Sequence, residues 1–116
     1  QYLSNTIDDY ESDTIRTFNL LVEQHFKELH QVQDYASLMN KSPKTLSNLF
    51  SKNNGPSPLR VIKNRITQEA KRLLQYTDES TKEIAYELGF GDPASFSRFF
   101  KNNVGESPTE YKKGMV

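Results

Sequence analysis

The sequence predicts an all-α fold of two helix-turn-helix lobes joined by a long central helix, with about seven helices. No segment alternates apolar and polar residues over a length that would indicate a strand. Four of the five prolines follow a Ser or an Asp, which is typical of a capped helix start: Ser42-Pro43, Ser57-Pro58, Asp92-Pro93 and Ser107-Pro108. A twelve-residue segment also occurs twice, fifty residues apart.

The repeat indicates that one small helical unit is duplicated. Residues 47–58 read SNLFSKNNGPSP and residues 97–108 read SRFFKNNVGESP, with six of the twelve positions identical. Leu46 and Leu49 also match Phe96 and Phe99 in kind. Because caps and core positions recur together, a duplicated helix-turn-helix explains the pattern better than two unrelated helical hairpins.

The N-terminal segment divides into two parts. Residues 1–12 are polar and acidic, and we expect them to form a tail or linker, so that the domain proper spans 13–116. Apolar residues then recur at helical spacing from about Asp13 to His30, which predicts an amphipathic helix. The residues of this stripe are Ile15, Phe18, Val22, Phe26 and Leu29.

The remaining elements follow from caps and periodicity. We predict the first helix-turn-helix at about 32–54, the linking helix at about 58–76, the second helix-turn-helix at about 81–104 and a terminal helix at about 108–113. Ser80/Glu83 and Ser107/Glu110 have the spacing of capping boxes. One side of the linking helix is expected to carry its apolar residues, which are Leu59, Ile62, Ile66, Leu73 and Leu74.

The two predicted turns use the same chemistry. Ala36 is followed four residues later by Asn40, and Ala85 is followed four residues later by Gly89. Ala lets two helices cross closely, and Asn and Gly tolerate the positive φ that such a turn needs. The second copy has one more residue between this Ala and the next core position, so we expect an extra residue within 89–92.

Composition narrows the class of protein. A chain of 116 residues forms one domain or two very small lobes, and the absence of Cys excludes disulfides and thiol chemistry. No apolar run reaches the ~20 residues that span a membrane, and the start does not resemble a signal peptide. Because the sequence lacks an initial Met, we expect a fragment of a longer chain.

Charge is segregated although the net charge is zero. Residues 1–40 carry seven acids and two basic residues, whereas residues 41–116 carry thirteen basic residues and eight acids. The basic part coincides with the repeat, and such asymmetry is a feature of nucleic-acid-binding proteins.

Three segments together resemble the AraC/XylS-type transcriptional regulators: ASLMNKSPKTLSNLF (36–50), EAKRLL (69–74) and EIAYELGFGDPASFSRFFKNNVGESPTEYKK (83–113). The resemblance covers roughly residues 18–113. It implies a C-terminal DNA-binding domain that binds specific double-stranded DNA through two recognition helices in adjacent major-groove segments and regulates transcription. A linking helix of about 28 Å, at ~1.5 Å per residue, is compatible with the ~34 Å turn of B-DNA.

The resemblance also assigns residues and partners. The predicted base contacts are Lys44, Ser47, Asn48, Ala94, Ser95, Ser97 and Arg98. The predicted phosphate contacts follow from position and not from the resemblance: Lys52 and Lys101 lie late in the recognition helices, and Lys41 and Lys82 lie near helix starts. Asn48 departs from the family, where Arg is common. The implied partners are promoter or operator DNA, RNA polymerase and a sensing or dimerisation domain outside this sequence. The implied location is the bacterial cytoplasm at the nucleoid, with no cofactor, metal or membrane.

No sequence motif indicates an enzyme. His25 and His30 lack an evident partner acid, and the sequence has no P-loop, GxGxxG or nucleophile elbow. Asp9, Glu11 and Asp13 resemble the start of a calcium loop, but Thr14 and Leu20 replace its Gly and closing Glu. The competing interpretation is a helical protein-interaction module without DNA readout.

Overall fold

The computed structural model describes the backbone of residues 2–114 and the side chains of residues 9–114. All regular structure in this range is helical, which confirms the predicted fold class. Seven helices follow one another: α1 (Tyr2–His25), α2 (Val32–Leu38), α3 (Pro43–Lys52), α4 (Pro58–Tyr76), α5 (Thr81–Glu87), α6 (Pro93–Val104) and α7 (Pro108–Lys113). The chain divides into two compact units, Gln1–Ile62 and Lys63–Val116.

The N-terminal segment differs from the sequence prediction. Residues 2–12, expected to be a tail or linker, form the first three turns of α1. The helix also ends earlier than predicted, at His25, and the backbone N–H groups of Glu28 and Leu29 both donate to the His25 carbonyl in the following turn. Leu3, Ile7 and Tyr10 do recur at helical spacing in this segment, but its polar and acidic composition favoured a tail.

The core of the first unit is centred on Phe18. This side chain is fully buried, and its ring lies 5.1 Å from that of Phe50 on α3 and 5.5 Å from that of Tyr35 on α2. The Tyr35 hydroxyl donates to the Leu29 carbonyl at 2.8 Å, and burial raises the pKa of Tyr35 to about 12. Helix α1 therefore holds α2 and α3 together through one aromatic cluster. Leu46 of α3 is also fully buried.

The second unit has an equivalent core built on α6. Phe96 and Phe100 are fully buried, and the Phe90 ring lies 5.3 Å from that of Phe96. Tyr111 of α7 packs edge-on against Phe100 at 5.5 Å. The buried residues that complete this core come from α4, from α5 and from Leu88, which caps the C-terminal end of α5: Ile66, Ala70, Leu73, Leu74, Ile84, Ala85 and Leu88.

The two turns have the same hydrogen-bond geometry. Lys41 N–H donates to the Ala36 carbonyl at 2.9 Å, and Phe90 N–H donates to the Ala85 carbonyl at 3.0 Å. Asn40 has a φ of 54° and Gly89 a φ of 88°, so both predicted positions take a positive φ. The extra residue of the second copy lies between this turn and the cap of α6, at Gly91.

The predicted helix starts are capped as expected. Ser42, Asp92 and Ser107 each accept a hydrogen bond from the third residue of their helices, and Ser57 accepts from Arg60 N–H at 3.1 Å. Both predicted capping boxes, Ser80/Glu83 and Ser107/Glu110, are formed. These local interactions fix where the helices begin because each cap satisfies N–H groups that lack an intrahelical partner.

Two details depart from the sequence prediction, one at the start of α4 and one in the repeat. Leu59 is 42% exposed, because the preceding Pro58 takes the buried position at the start of α4. The matching glycines also differ: Gly105 has a φ of 99°, whereas in the first copy the positive φ falls on Asn54 and not on Gly55. As a result α3 is two residues shorter than α6 at its C-terminal end.

Candidate nucleic-acid interface

Helix α3 presents a polar face opposite its core. Lys44, Ser47 and Asn48 are all exposed, whereas Leu46 and Phe50 on the other side are buried. Spacings of three and four residues place the exposed side chains on one face of a helix. The structure therefore brings together the three base-contact candidates of the first helix-turn-helix.

Helix α6 presents the equivalent face, with different side chains. Ala94 and Arg98 are exposed, and Ser95 and Ser97 are half-buried. Ala94, Ser97 and Arg98 stand fifty residues after Lys44, Ser47 and Asn48, and Ser95 stands fifty residues after Thr45. Phe96, between the two serines, is buried. Lys44 corresponds to Ala94 and Asn48 corresponds to Arg98, so the two faces share a scaffold but differ in chemistry.

Ser95 is part of a network that orients Arg98. Its backbone N–H donates to Asp92 Oδ1 at 2.7 Å, and its hydroxyl donates to Asp92 Oδ2 at 3.2 Å. The Arg98 guanidinium in turn donates to the Ser95 hydroxyl at 3.3 Å. Hydrogen bonds from the Ser95 backbone and side chain lower the pKa of the Asp92 carboxyl, and the charge of Arg98 contributes further. An ionised Asp92 thus caps α6 and holds Ser95 beneath Arg98.

The four lysines predicted to contact phosphate fall into two groups. Lys82 near the start of α5 and Lys101 on α6 are exposed and form no ion pair within residues 9–114. Lys52, the last residue of α3, pairs with Glu11 at 3.0 Å. Lys41 donates to the Tyr10 hydroxyl, and its ammonium group lies 4.9 Å from the centre of the Tyr10 ring.

These two contacts of α1 were not predicted from the sequence. Tyr10 and Glu11 were assigned to a tail, and their partners lie 31 and 41 residues away in the chain. Such long-range pairs leave no periodic signal. The only available sign was the excess of acids before residue 41, opposite the basic repeat.

The described residues offer neither a metal cluster nor a membrane-spanning helix. They contain no cluster of three or more His, Asp or Glu side chains that could hold a metal ion. Among them, no helix has both the length and the apolar character needed to cross a membrane.

Comparison with known proteins identifies the family. The sequence pattern of the helix-turn-helix domain family matches residues 35–114, which is more than half of the chain. The HTH-type transcriptional activator RhaS of Enterobacter sp. (strain 638) is 32% identical over 113 residues, which cover 96% of this chain and 41% of RhaS. The chain belongs to the AraC/XylS-type helix-turn-helix family. This membership confirms the resemblance inferred from its motifs.

Solved structures agree with the AraC/XylS-type fold. The C-terminal domain of AraT, a response regulator from Geobacillus stearothermophilus, superposes with a TM-score of 0.80 at 28% identity, covering 88% of this chain and 86% of that domain. The DNA-binding domain of the transcriptional factor AdpA, solved with a target DNA, has a TM-score of 0.67 at 28% identity, with 78% and 82% covered.

The family determines the class of function. An AraC/XylS-type domain binds DNA sequence-specifically in transcription regulation and is not an enzyme, which favours DNA binding over the protein-interaction module. The chain spans less than half the length of the RhaS proteins that it matches.

Proposed function

We propose that the outward faces of α3 and α6 read the bases of a promoter or operator in two adjacent major-groove segments. The observation that carries this proposal is that both faces lie opposite a buried core at equivalent positions yet bear different side chains. The N-terminal half of a recognition helix is the part that meets base edges. Two different faces on one chain suit an asymmetric site, so no palindrome is required.

Arg98 is the principal base reader in this proposal. Its guanidinium is exposed and can donate two parallel hydrogen bonds to O6 and N7 of guanine. Arg98 donates to Ser95, which Asp92 holds in place, so the guanidinium is already restricted in the free protein. It therefore loses less conformational entropy when it binds DNA. Ser95 therefore acts mainly by positioning Arg98, and Ala94 leaves room for a thymine methyl group.

The first helix-turn-helix supplies a second, weaker set of contacts. Asn48 can pair with N6 and N7 of adenine, and Lys44 can donate to guanine or to a phosphate. Ser47 and its counterpart Ser97 can accept or donate at either base. Exposure of Lys44, Ser47 and Asn48 on one face supports this assignment.

The four candidate phosphate-binding lysines contribute affinity that does not depend on the DNA sequence. Lys82 and Lys101 are exposed near helix ends, and lysine ammonium groups commonly contact phosphates. Lys41 and Lys52 flank α3 and are assigned the same role once their contacts with α1 are released. Phosphate contacts make affinity fall steeply with salt, by roughly one power of salt concentration for each contact.

The whole protein would act as a transcription regulator. We assign it a sensing or dimerisation domain outside this sequence, contact with RNA polymerase at the promoter, and a location at the bacterial nucleoid. Family membership and the fraction of RhaS that the chain covers support these assignments.

Replacing Arg98 tests the proposal. Arg98→Ala should weaken binding to the best DNA site by ~1–3 kcal/mol and relax the base preference at one position. Binding would be measured by fluorescence anisotropy against the selected duplex and against duplexes with each base pair changed. Arg16→Ala is the matched control, because it removes the same charge from an exposed arginine of α1. An equal loss on every duplex would reduce Arg98 to a phosphate contact.

A further inference from the structure

Helix α1 contacts two lysines that flank the recognition helix of the first unit. Glu11 pairs with Lys52, the last residue of α3, and Tyr10 accepts a hydrogen bond from Lys41, which precedes the cap of α3. We call this pair of neighbouring residues, Tyr10 and Glu11, the α1 latch. Both lysines are predicted phosphate contacts, so the latch occupies the groups that DNA would use.

The two side chains of the ion pair differ in exposure. The Glu11 side chain is only 15% exposed, because it lies on the side of α1 that packs against the unit, whereas the Lys52 side chain is 65% exposed. Lysine has a long flexible stem that allows its ammonium group to swing between partners. Glu11 is therefore the fixed member, and Lys52 is the member that can move to a phosphate.

The second helix-turn-helix has no equivalent device. Asn102 stands fifty residues after Lys52, so the position held by the latch carries no charge in α6. Lys101 lies near enough to Glu110 to lower the pKa of that carboxyl but forms no ion pair with it in the described chain. Among the described residues, only the first copy therefore has an acidic side chain paired with a lysine at the end of its recognition helix.

We propose that the α1 latch is an intramolecular competitor for the DNA backbone at the first helix-turn-helix. Glu11 holds Lys52 and Tyr10 holds Lys41 in the free protein, and DNA phosphates replace both partners on binding. The proposal rests on the phosphate role assigned to these lysines under the proposed function. It assigns to α1 the regulation of the first recognition helix, so that any change that moves the N-terminal part of α1 alters DNA affinity.

The latch adjusts affinity without blocking binding. The lysine end of this ion pair is 65% exposed, and a pair open to water corresponds to about a two- to fivefold change in an equilibrium constant. DNA carries a dense array of phosphates and can displace such a partner. The effect should be largest at low salt, where exposed charges are least screened.

Glu11→Gln tests the latch against Asp9→Asn as a matched control. Both changes remove one negative charge from the same part of α1, but Asp9 forms no ion pair with a described residue. Affinity for the site-selected duplex would be measured by fluorescence anisotropy at low and high salt, with circular dichroism to show that each variant is folded. We expect Glu11→Gln to bind about two- to fivefold more tightly than Asp9→Asn at low salt, with the difference shrinking as salt rises.

Two results would overturn the latch. Equal affinities of the two variants would mean that Glu11 acts only through overall charge. Weaker binding by Glu11→Gln would mean that Glu11 holds Lys52 in place for a phosphate and does not compete with DNA.

Lys52→Gln separates the latch from the proposed function. If Lys52 contacts phosphate, this variant binds more weakly and has a smaller salt slope than the unaltered chain. In the Lys52→Gln background, Glu11→Gln should then have no advantage over Asp9→Asn, because the competing pair is already absent. Unchanged affinity of Lys52→Gln would refute its phosphate role, and the latch with it. The latch alone would be refuted if Lys52→Gln bound DNA more weakly while Glu11→Gln and Asp9→Asn bound DNA with equal affinity.

Discussion

Gly89 should be far less tolerant of substitution than Gly91, two residues later in the same loop. Gly89 has a φ of 88°, whereas Gly91 does not have a positive φ and has no atom within 4 Å of an added Cβ. A left-handed conformation costs a residue with a Cβ roughly 1–2 kcal/mol. Gly→Ala at a compatible position instead stabilises by about 0.4–1 kcal/mol, because the unfolded chain loses freedom. Gly89→Ala and Gly91→Ala should therefore differ in stability by about 1.5–3 kcal/mol, and Gly89→Val should be worse than Gly89→Ala.

Urea unfolding followed by circular dichroism measures this difference. Exchange of the Phe90 amide reports on the turn itself, because that N–H donates to the Ala85 carbonyl. Exchange at Phe90 should quicken in Gly89→Ala and stay slow in Gly91→Ala. Equal stability of the two variants, or a Phe90 amide unaffected by Gly89→Ala, would refute the assignment of the turn.

Two further predictions concern the core and the cap. Phe18→Ala should destabilise the chain by about 3–5 kcal/mol, because the ring is fully buried between Tyr35 and Phe50. Leu20→Ala, at a 57% exposed position on the same helix, should cost less than ~0.5 kcal/mol, and similar losses in urea unfolding would contradict the described core. Asp92 has a lowered pKa in the folded chain, so its contribution is present above the unfolded pKa near ~4 and is lost as pH falls through the folded value. The stability difference between the unaltered chain and Asp92→Ser should therefore shrink in acid, and a difference independent of pH would contradict the capping role of the carboxylate.

Local sequence signals predicted most of the fold. The caps at Ser42, Asp92 and Ser107 and the turn residues Asn40 and Gly89 all act within a few residues of their own position. Such interactions are visible in a single sequence because the side chain and its backbone partner are neighbours in the chain. The predicted bounds of α4 matched the structure for the same reason.

The errors have both long-range and local causes. The early start of α1 coincides with the contacts of Tyr10 and Glu11 with lysines more than thirty residues away. The apolar spacing of α1 continues through Phe26 and Leu29, although the helix ends at His25. The turn after the helix also packs on the core, where Phe26 is buried, so its apolar residues resemble a further helical turn. Leu59 was placed on the apolar side of the linking helix, but it is 42% exposed and the adjacent Pro58 is buried instead.

The candidate site was predictable as a face but not as a network. Helical spacing was enough to place Lys44, Ser47 and Asn48 together, and their exposure agrees with it. The support of Arg98 by Ser95 and Asp92 depends on rotamers that no sequence pattern specifies. The DNA contacts assigned to these residues stay a prediction.

Selection of bound sites from random DNA tests the central claim most directly. The chain would be incubated with a pool of random duplexes, and the retained sequences would be determined after several rounds at a fixed salt concentration. Two different recognition faces predict enrichment of two short, unlike half-sites about one helical turn apart, roughly 10 base pairs from centre to centre. No enrichment, or enrichment of a single half-site or of two identical inverted half-sites, would contradict DNA reading by both α3 and α6.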